Sequence, residues 1–246
     1  FDNSLGVNVG GSCEAADEAF AVVQDGANIV PPTAGDTYVV TYYEAAGAVT
    51  VHDMSTGWSL IGTINGSNWD TDVAMVEVSE GVFSATCYVN GEVKLRNAMG
   101  WDVNRGGSFE TLGSAFEAVA GGDNIKLDEG NYTITYDSKN EMITVAKAWS
   151  LIGGVFSTGW SEDLFMLADA EGNFVCKYAS LDGDWKLREN ADWDVNRGGS
   201  FAALGTAFAA VEGGDNIASP GEGLYTVVYN PSKEEITVTK AFPKSE

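Results

Sequence analysis

A chain of 246 residues with 36 acidic and 13 basic side chains carries a formal charge of −23. Such a field repels polyanions, which excludes nucleic acid and an anionic membrane surface as partners and leaves neutral ligands open. With 44% apolar residues the chain has an ordinary globular composition, not a disordered one.

In chain order, residues 1–57 read as the back half of a repeat. Leu5-Gly6-Val7-Asn8-Val9-Gly10-Gly11-Ser12 is followed by Ala19-Phe20, Gly26-Ala27-Asn28-Ile29, Tyr38-Val39-Val40-Thr41-Tyr42 and Val49-Thr50-Val51. Because the front half is missing, the natural protein is expected to continue before Phe1. A second repeat opens at Trp58-Ser59-Leu60-Ile61-Gly62 and a third at Trp149-Ser150-Leu151-Ile152-Gly153. Each opening is a short apolar run ended by glycine, the pattern of a strand entering a loop. A further tryptophan follows eleven residues on, at Trp69 and Trp160. Val82–Tyr88 and Val93–Arg96 alternate, which turns Leu95 inward and sets Lys94 and Arg96 on one outward face.

The best-kept stretch comes next. Lys94–Phe109 and Lys186–Phe201 align without a gap at a spacing of 92 residues and differ at only four positions, those between Arg and Trp. Gly122-Asp123-Asn124-Ile125 and Gly214-Asp215-Asn216-Ile217 follow. Then Tyr132–Tyr136 and Met142–Val145 make a hairpin pattern with a loop of about five residues. Leu112–Phe116 reads as a turn crossing between sheets. Many short strands with glycine-rich turns and no long helix predict tandem small antiparallel β-sandwiches, all-β. The boundaries expected are 1–57 for the partial unit, 58–148 and 149–246.

Catalytic patterns are absent. His52 is the single histidine, which removes Ser-His-Asp and Cys-His machinery and multi-histidine zinc sites. There is no P-loop and no GxSxG. Asp102 and Asp194 recur, yet each sits beside a Trp where turn hydrogen bonds account for it. No enzyme activity, cofactor or metal is expected. Cys13, Cys87 and Cys176 are an odd count, and Cys87 and Cys176 are not equivalent under the repeat. They are expected to be buried free thiols.

Two constellations remain. In Trp-Asp-Val-Asn-Arg-Gly-Gly, the structural reading is favoured for all but the Trp. Gly106-Gly107 and Gly198-Gly199 suit a turn with positive φ, Asn104 and Asn196 can bond the nearby backbone, and Trp101 and Trp193 could close one end of the core. The second set is Trp69, Lys94, Arg96 and Asn124, repeated as Trp160, Lys186, Arg188 and Asn216. An indole in a loop is costly to expose unless something covers it. A sugar ring offers an apolar C–H face to stack on it, and Lys, Arg and Asn offer donors to the hydroxyls. The other reading has Trp69 and Trp160 folded back as plugs, with Lys and Arg merely solvated. Asn28, Asn124 and Asn216 share a glycine-rich turn, which keeps a structural role open for them.

On these residues the chain resembles the SusE/SusF outer-membrane starch-binding lipoproteins of Bacteroidota. The run K-L-R-x-N-A-x-W-D-V-N-R-G-G, the G-G-D-N-I turn, the Y-T-I-T-Y and I-T-V hairpin and the W-S-L-I-G opening carry that resemblance. It implies tandem immunoglobulin-like carbohydrate-binding modules that hold an oligo- or polysaccharide at the cell surface. It further implies a lipid anchor to the outer membrane, outside this chain, and a SusC/SusD-type transporter as partner. The glycan-binding residues it implies are Trp69, Lys94 or Arg96, Trp101 and Asn124, then Trp160, Lys186 or Arg188, Trp193 and Asn216. The alternative is a structural or adhesive spacer.

Overall fold

A computed structural model describes residues 9–31, 37–43, 46–155, 159–221 and 223–242. Every regular element of any length among them is a strand. Two nine-stranded antiparallel assemblies follow one another, with a two-stranded and a three-stranded sheet before them. The chain is therefore all-β, in tandem β-sandwich units, as its alternating patterns predict.

Each nine-stranded assembly is built on one very long strand. In the middle unit this is Val82–Asn97, and in the C-terminal unit Phe174–Glu189. The first half of Val82–Asn97 pairs with Gly130–Asp137, while its second half pairs with Trp58–Ile64 and Asn104–Gly106. Register shifts at Leu127/Gly130 and Gly62/Ile64 bend the partners. Bulges of this kind let one continuous strand serve both layers. The core lies between the layers: Leu60, Val93 and Leu95 from one, Ala85, Tyr132, Ile134 and Val145 from the other. The C-terminal unit repeats this with Leu151, Leu187, Val227 and Val238 around a Trp185 that is wholly buried.

The hairpin after Tyr132 is tighter than expected. Asp137 pairs with Met142, leaving four residues in the loop. Asp137 accepts from the backbone N–H of Lys139 and Asn140, which closes the turn. The crossing at Leu112–Phe116 is seen, a turn that delivers Ala115–Glu117 to the edge of strand Met142–Lys147.

The paired glycines are required for a reason other than the one the sequence suggested. Gly106 and Gly198 are not among the positive-φ residues. Instead the chain passes so close that a Cβ on Gly106 would lie 2.0 Å from the Asp123 carbonyl oxygen, and one on Gly198 2.1 Å from that of Asp215. In the N-terminal segment Gly10 stands in the same relation to Ala27, at 2.1 Å. So the clip is one device used three times, and in the two later copies it holds the Gly-Asp-Asn turn against the end of the Asn-Arg-Gly strand. The Leu5–Asn8 part of the first copy lies outside the described residues.

The units touch through named bonds. Thr86 Oγ1 donates to the Met166 carbonyl at 2.6 Å, and the Ala168 N–H donates to Ser84 Oγ at 3.0 Å. The Asn131 N–H donates to Asn190 Oδ1 at 2.8 Å, and the Asn190 N–H to the Ala148 carbonyl at 2.7 Å. The N-terminal segment docks on the C-terminal unit, where the Ala19 N–H donates to the Tyr178 hydroxyl at 3.0 Å.

The cysteines divide. Cys87 and Cys176 are buried free thiols, as expected, and burial pushes each up to about 12. Cys13 is partly exposed, which corrects the expectation that all three are buried. Thiolate is the reactive form, so iodoacetamide on the native protein at pH 8 should label Cys13 alone. Mass spectrometry of the digest reads this, and all three should label in denaturant.

Candidate functional site

The site is laid out by strand register. On the outward face of Val82–Asn97, Arg96 pairs with Ser59 on one side and Asn104 on the other. The next row holds Ile61 opposite Lys94, and Asn124 continues this row in register with the Ile125–Val93 pair. A third row sets Lys126 opposite Glu92. The alternation of the strand therefore places Lys94 and Arg96 on one face, with Val93 and Leu95 buried behind them.

Arg96 is not a solvated cation. Its Nε donates to Asp72 Oδ1 at 2.9 Å and its second nitrogen to Asp72 Oδ2. Ser59 Oγ donates to the same carboxylate at 2.6 Å. The hydrogen bonds it donates to Asp72 raise the Arg96 guanidinium above its ordinary range. Arg188, Asp163 and Ser150 repeat the cluster, with Nε to Oδ1 at 2.8 Å and Ser150 Oγ to Oδ1 at 2.5 Å. A planar guanidinium held on both prongs is fixed in place, and its face is free to carry a ring.

That face carries Trp101. The guanidinium carbon of Arg96 lies 5.0 Å from the Trp101 ring centroid, and Arg188 lies at the same distance from Trp193. A second indole joins each. Trp69 and Trp101 have centroids 6.2 Å apart and planes inclined by 32°; Trp160 and Trp193 are 5.9 Å apart at 37°. Trp101 is 50% exposed, and Trp160 and Trp193 are each 45% exposed. Trp69 is half-buried. The loop that brings Trp69 returns to strand Trp58–Ile64 through a bond from the Trp69 N–H to the Gly62 carbonyl, 2.9 Å. Trp69 is itself left-handed, with φ 64°, at a strain of roughly 1 kcal/mol. In the C-terminal unit Gly159 takes the left-handed turn instead, with φ 64°.

These positions correct the structural readings of the tryptophans. Trp101 and Trp193 do not close the core; Trp58 and Trp149 pack at that end, with Arg105 and Arg197 over their rings at 5.7 Å. Trp69 and Trp160 do fold back, but over the outer face of the sandwich and not into an inner core. They lie on the outer surface, where Ile61 and Ile152 are fully covered though neither belongs to an inner core. The Asn104 and Asn196 amides do bond nearby backbone, donating to the Trp101 and Trp193 carbonyls at 2.8 and 3.0 Å. Asp102 and Asp194 accept none of the expected turn bonds; both are exposed, with side chains unpartnered among the described residues.

All ten sequence-predicted residues thus fall on two equivalent faces, in adjacent rows. Lys94 and Lys186 make no ion pair or hydrogen bond among the described residues. Asn124 is already engaged, donating to Glu92 Oε2 at 2.8 Å, whereas Asn216 is exposed, its side chain unpartnered among the described residues. Sequence reasoning missed Asp72 and Asp163. Their signal was present, since each lies three residues after the loop tryptophan. In chemical terms each face offers two adjoining apolar ring surfaces and one free ammonium, and the C-terminal face adds an unengaged amide at Asn216, among the described residues.

No protein-family profile matches this chain, and no curated protein matches it. Among solved structures, the crystal structure of SusF from Bacteroides thetaiotaomicron is similar at 14% identity and a TM-score of 0.34, over 79% of this chain and 52% of that one. The chain spans about half the length of that protein.

Proposed function

We propose that the chain is a non-catalytic glycan-binding protein that retains a neutral polysaccharide on two tryptophan platforms, one in the unit 58–148 and one in the unit 149–246. The observation that carries this reading is the recurrence of the indole pair. Two large apolar rings lie side by side at nearly the same separation and tilt in both units, with Trp101, Trp160 and Trp193 exposed, and each pair rests on an arginine clamped by a largely covered carboxylate. Exposed indoles cost free energy in water unless a partner covers them. A chain of hexose rings, with C–H faces for the indoles and hydroxyls for Lys94, Lys186 and the amides, is such a partner. A spacer would have no use for the exposure of Trp101, Trp160 and Trp193.

Each platform alone is shallow and binds weakly. Two on one chain raise the effective concentration of the second contact once the first is made, provided the polymer spans both. Placement at the cell surface beside a SusC/SusD-type importer belongs to this proposal and rests on the sequence resemblance. Affinity electrophoresis in native gels containing soluble starch, dextran or levan tests the binding. At least one polymer should retard the protein. Unretarded migration in every gel, with no response on a wider glycan array, would sink the reading.

A further inference from the structure

The two platforms are near copies in their tryptophans and arginines but not in the row beneath them. In the middle unit that row is self-satisfied. Asn124 Nδ2 donates to Glu92 Oε2 at 2.8 Å, and Lys126 Nζ lies 3.5 Å from Glu92 Oε1. The Asn124 bond, with help from Lys126, holds the Glu92 carboxyl below its usual range, so at neutral pH Glu92 is a full anion and a strong acceptor. In the C-terminal unit the corresponding residues are Asp184, Asn216 and Ala218. Asp184 is one methylene shorter and Ala218 brings no cation. Neither Asn216 nor Asp184 makes a hydrogen bond among the described residues, and both are exposed.

We infer that Glu92 is a specificity-determining residue that occupies the amide donor of the middle platform, so that the two platforms bind the same glycan unequally, the C-terminal one more tightly. The inference rests on the glycan-binding reading above. A sugar hydroxyl arriving at Lys186 finds a free amide N–H at Asn216 and a free carboxylate acceptor at Asp184. The same hydroxyl arriving at Lys94 must displace Glu92 from Asn124 before that donor is available. Exchanging one protein–protein hydrogen bond for one protein–ligand bond gains little, whereas filling a free donor gains the bond itself. One such bond is worth about a fivefold difference in affinity. The indole pairs, being matched in spacing and tilt, do not offset this.

The test uses the full chain and whichever of soluble starch, dextran or levan retards the parent. Trp160→Ala leaves only the middle platform intact, and Trp69→Ala leaves only the C-terminal one. The Trp69→Ala protein should show the lower dissociation constant, by about fivefold. Adding Glu92→Ala to Trp160→Ala frees Asn124 and should strengthen the middle platform by a similar factor. Adding Asp184→Glu and Ala218→Lys to Trp69→Ala installs the blocking row and should weaken the C-terminal platform. Equal dissociation constants for the two single variants, both weaker than the parent's, or a Glu92→Ala change that leaves the middle platform as weak or weaker, would overturn the inference while leaving the binding reading standing. If both single variants bind like the parent, the tryptophans are not the platform and both readings fall.

Discussion

Trp160→Ala combined with Trp193→Ala, in the full chain, removes the C-terminal platform and lowers glycan retention by more than tenfold. Each indole contributes the stacking energy of a large aromatic surface, about 1 kcal/mol or more, and losing two adjacent ones leaves only Lys186 and Asn216 to hold a hydroxyl. About 1.4 kcal/mol is a tenfold change in affinity, so the C-terminal platform itself weakens by more than that on stacking alone. The middle platform remains, about fivefold weaker, and retention by the full chain falls past tenfold because that platform binds without the gain from a second contact. The fold survives, since both rings are 45% exposed and the interior depends on Trp149 and Trp185 instead. The midpoint of thermal unfolding should therefore move by no more than about 4 °C, the equivalent of roughly 1 kcal/mol. Affinity electrophoresis read beside a melting curve separates the two effects. A variant that melts like the parent and is still retarded like it would contradict the assignment.

Arg96→Met produces the largest loss of stability. It leaves Asp72, whose side chain is only 7% exposed, as a buried charge with a single Ser59 hydroxyl to satisfy it. Breaking a buried pair from one side costs about 3–5 kcal/mol, a large share of the stability of a small domain. The loss should appear as a lowered denaturant midpoint in the unfolding curve. Replacing both partners, as Arg96→Met with Asp72→Leu, removes the stranded charge and should restore most of it. Binding should not return with stability, because Trp101 then lacks the clamped cation beneath its ring. A double variant that regains both would mean that the arginine holds the fold and has no part in orienting the indole. Arg188 with Asp163 should behave in the same way in the C-terminal unit.

The repeat made much of this legible before any coordinates. Strand alternation through Val93–Arg96 set Lys94 and Arg96 on one face, and the register of strand Trp58–Ile64 bears this out. The exposure of Trp160 could not be read from its place in the chain, because a loop indole can cover the core or leave it. What decides is the left-handed turn just before it and the bond by which its loop returns to Gly153. That Trp101 and Trp193 come to lie beside Trp69 and Trp160 was equally hidden. The two partners are 32 residues apart in the middle unit and meet only because the long strand folds between them.

Two misreadings share one physical cause. Gly106 and Gly198 were expected to serve a positive φ, and instead they serve a backbone approach so close that an added Cβ would lie about 2 Å from a carbonyl oxygen. Asp102 and Asp194 were expected to bond a turn, while the acids that matter are Asp72 and Asp163. In both cases the deciding partner is distant in sequence, and a local pattern carries no information about it. The clip at Gly106 needs the Asp123 carbonyl, and the clamp at Asp72 needs a guanidinium from another strand.

The seven tryptophans allow the central claim to be tested by one titration. In a proton–nitrogen spectrum each indole N–H gives its own signal, assignable by single substitutions. On addition of an oligosaccharide of the retained polymer, the signals of Trp69, Trp101, Trp160 and Trp193 should shift together with saturation, while those of Trp58, Trp149 and Trp185 stay in place. Saturating shifts confined to Trp58, Trp149 or Trp185, or four stationary platform signals under a bound glycan, would contradict the account.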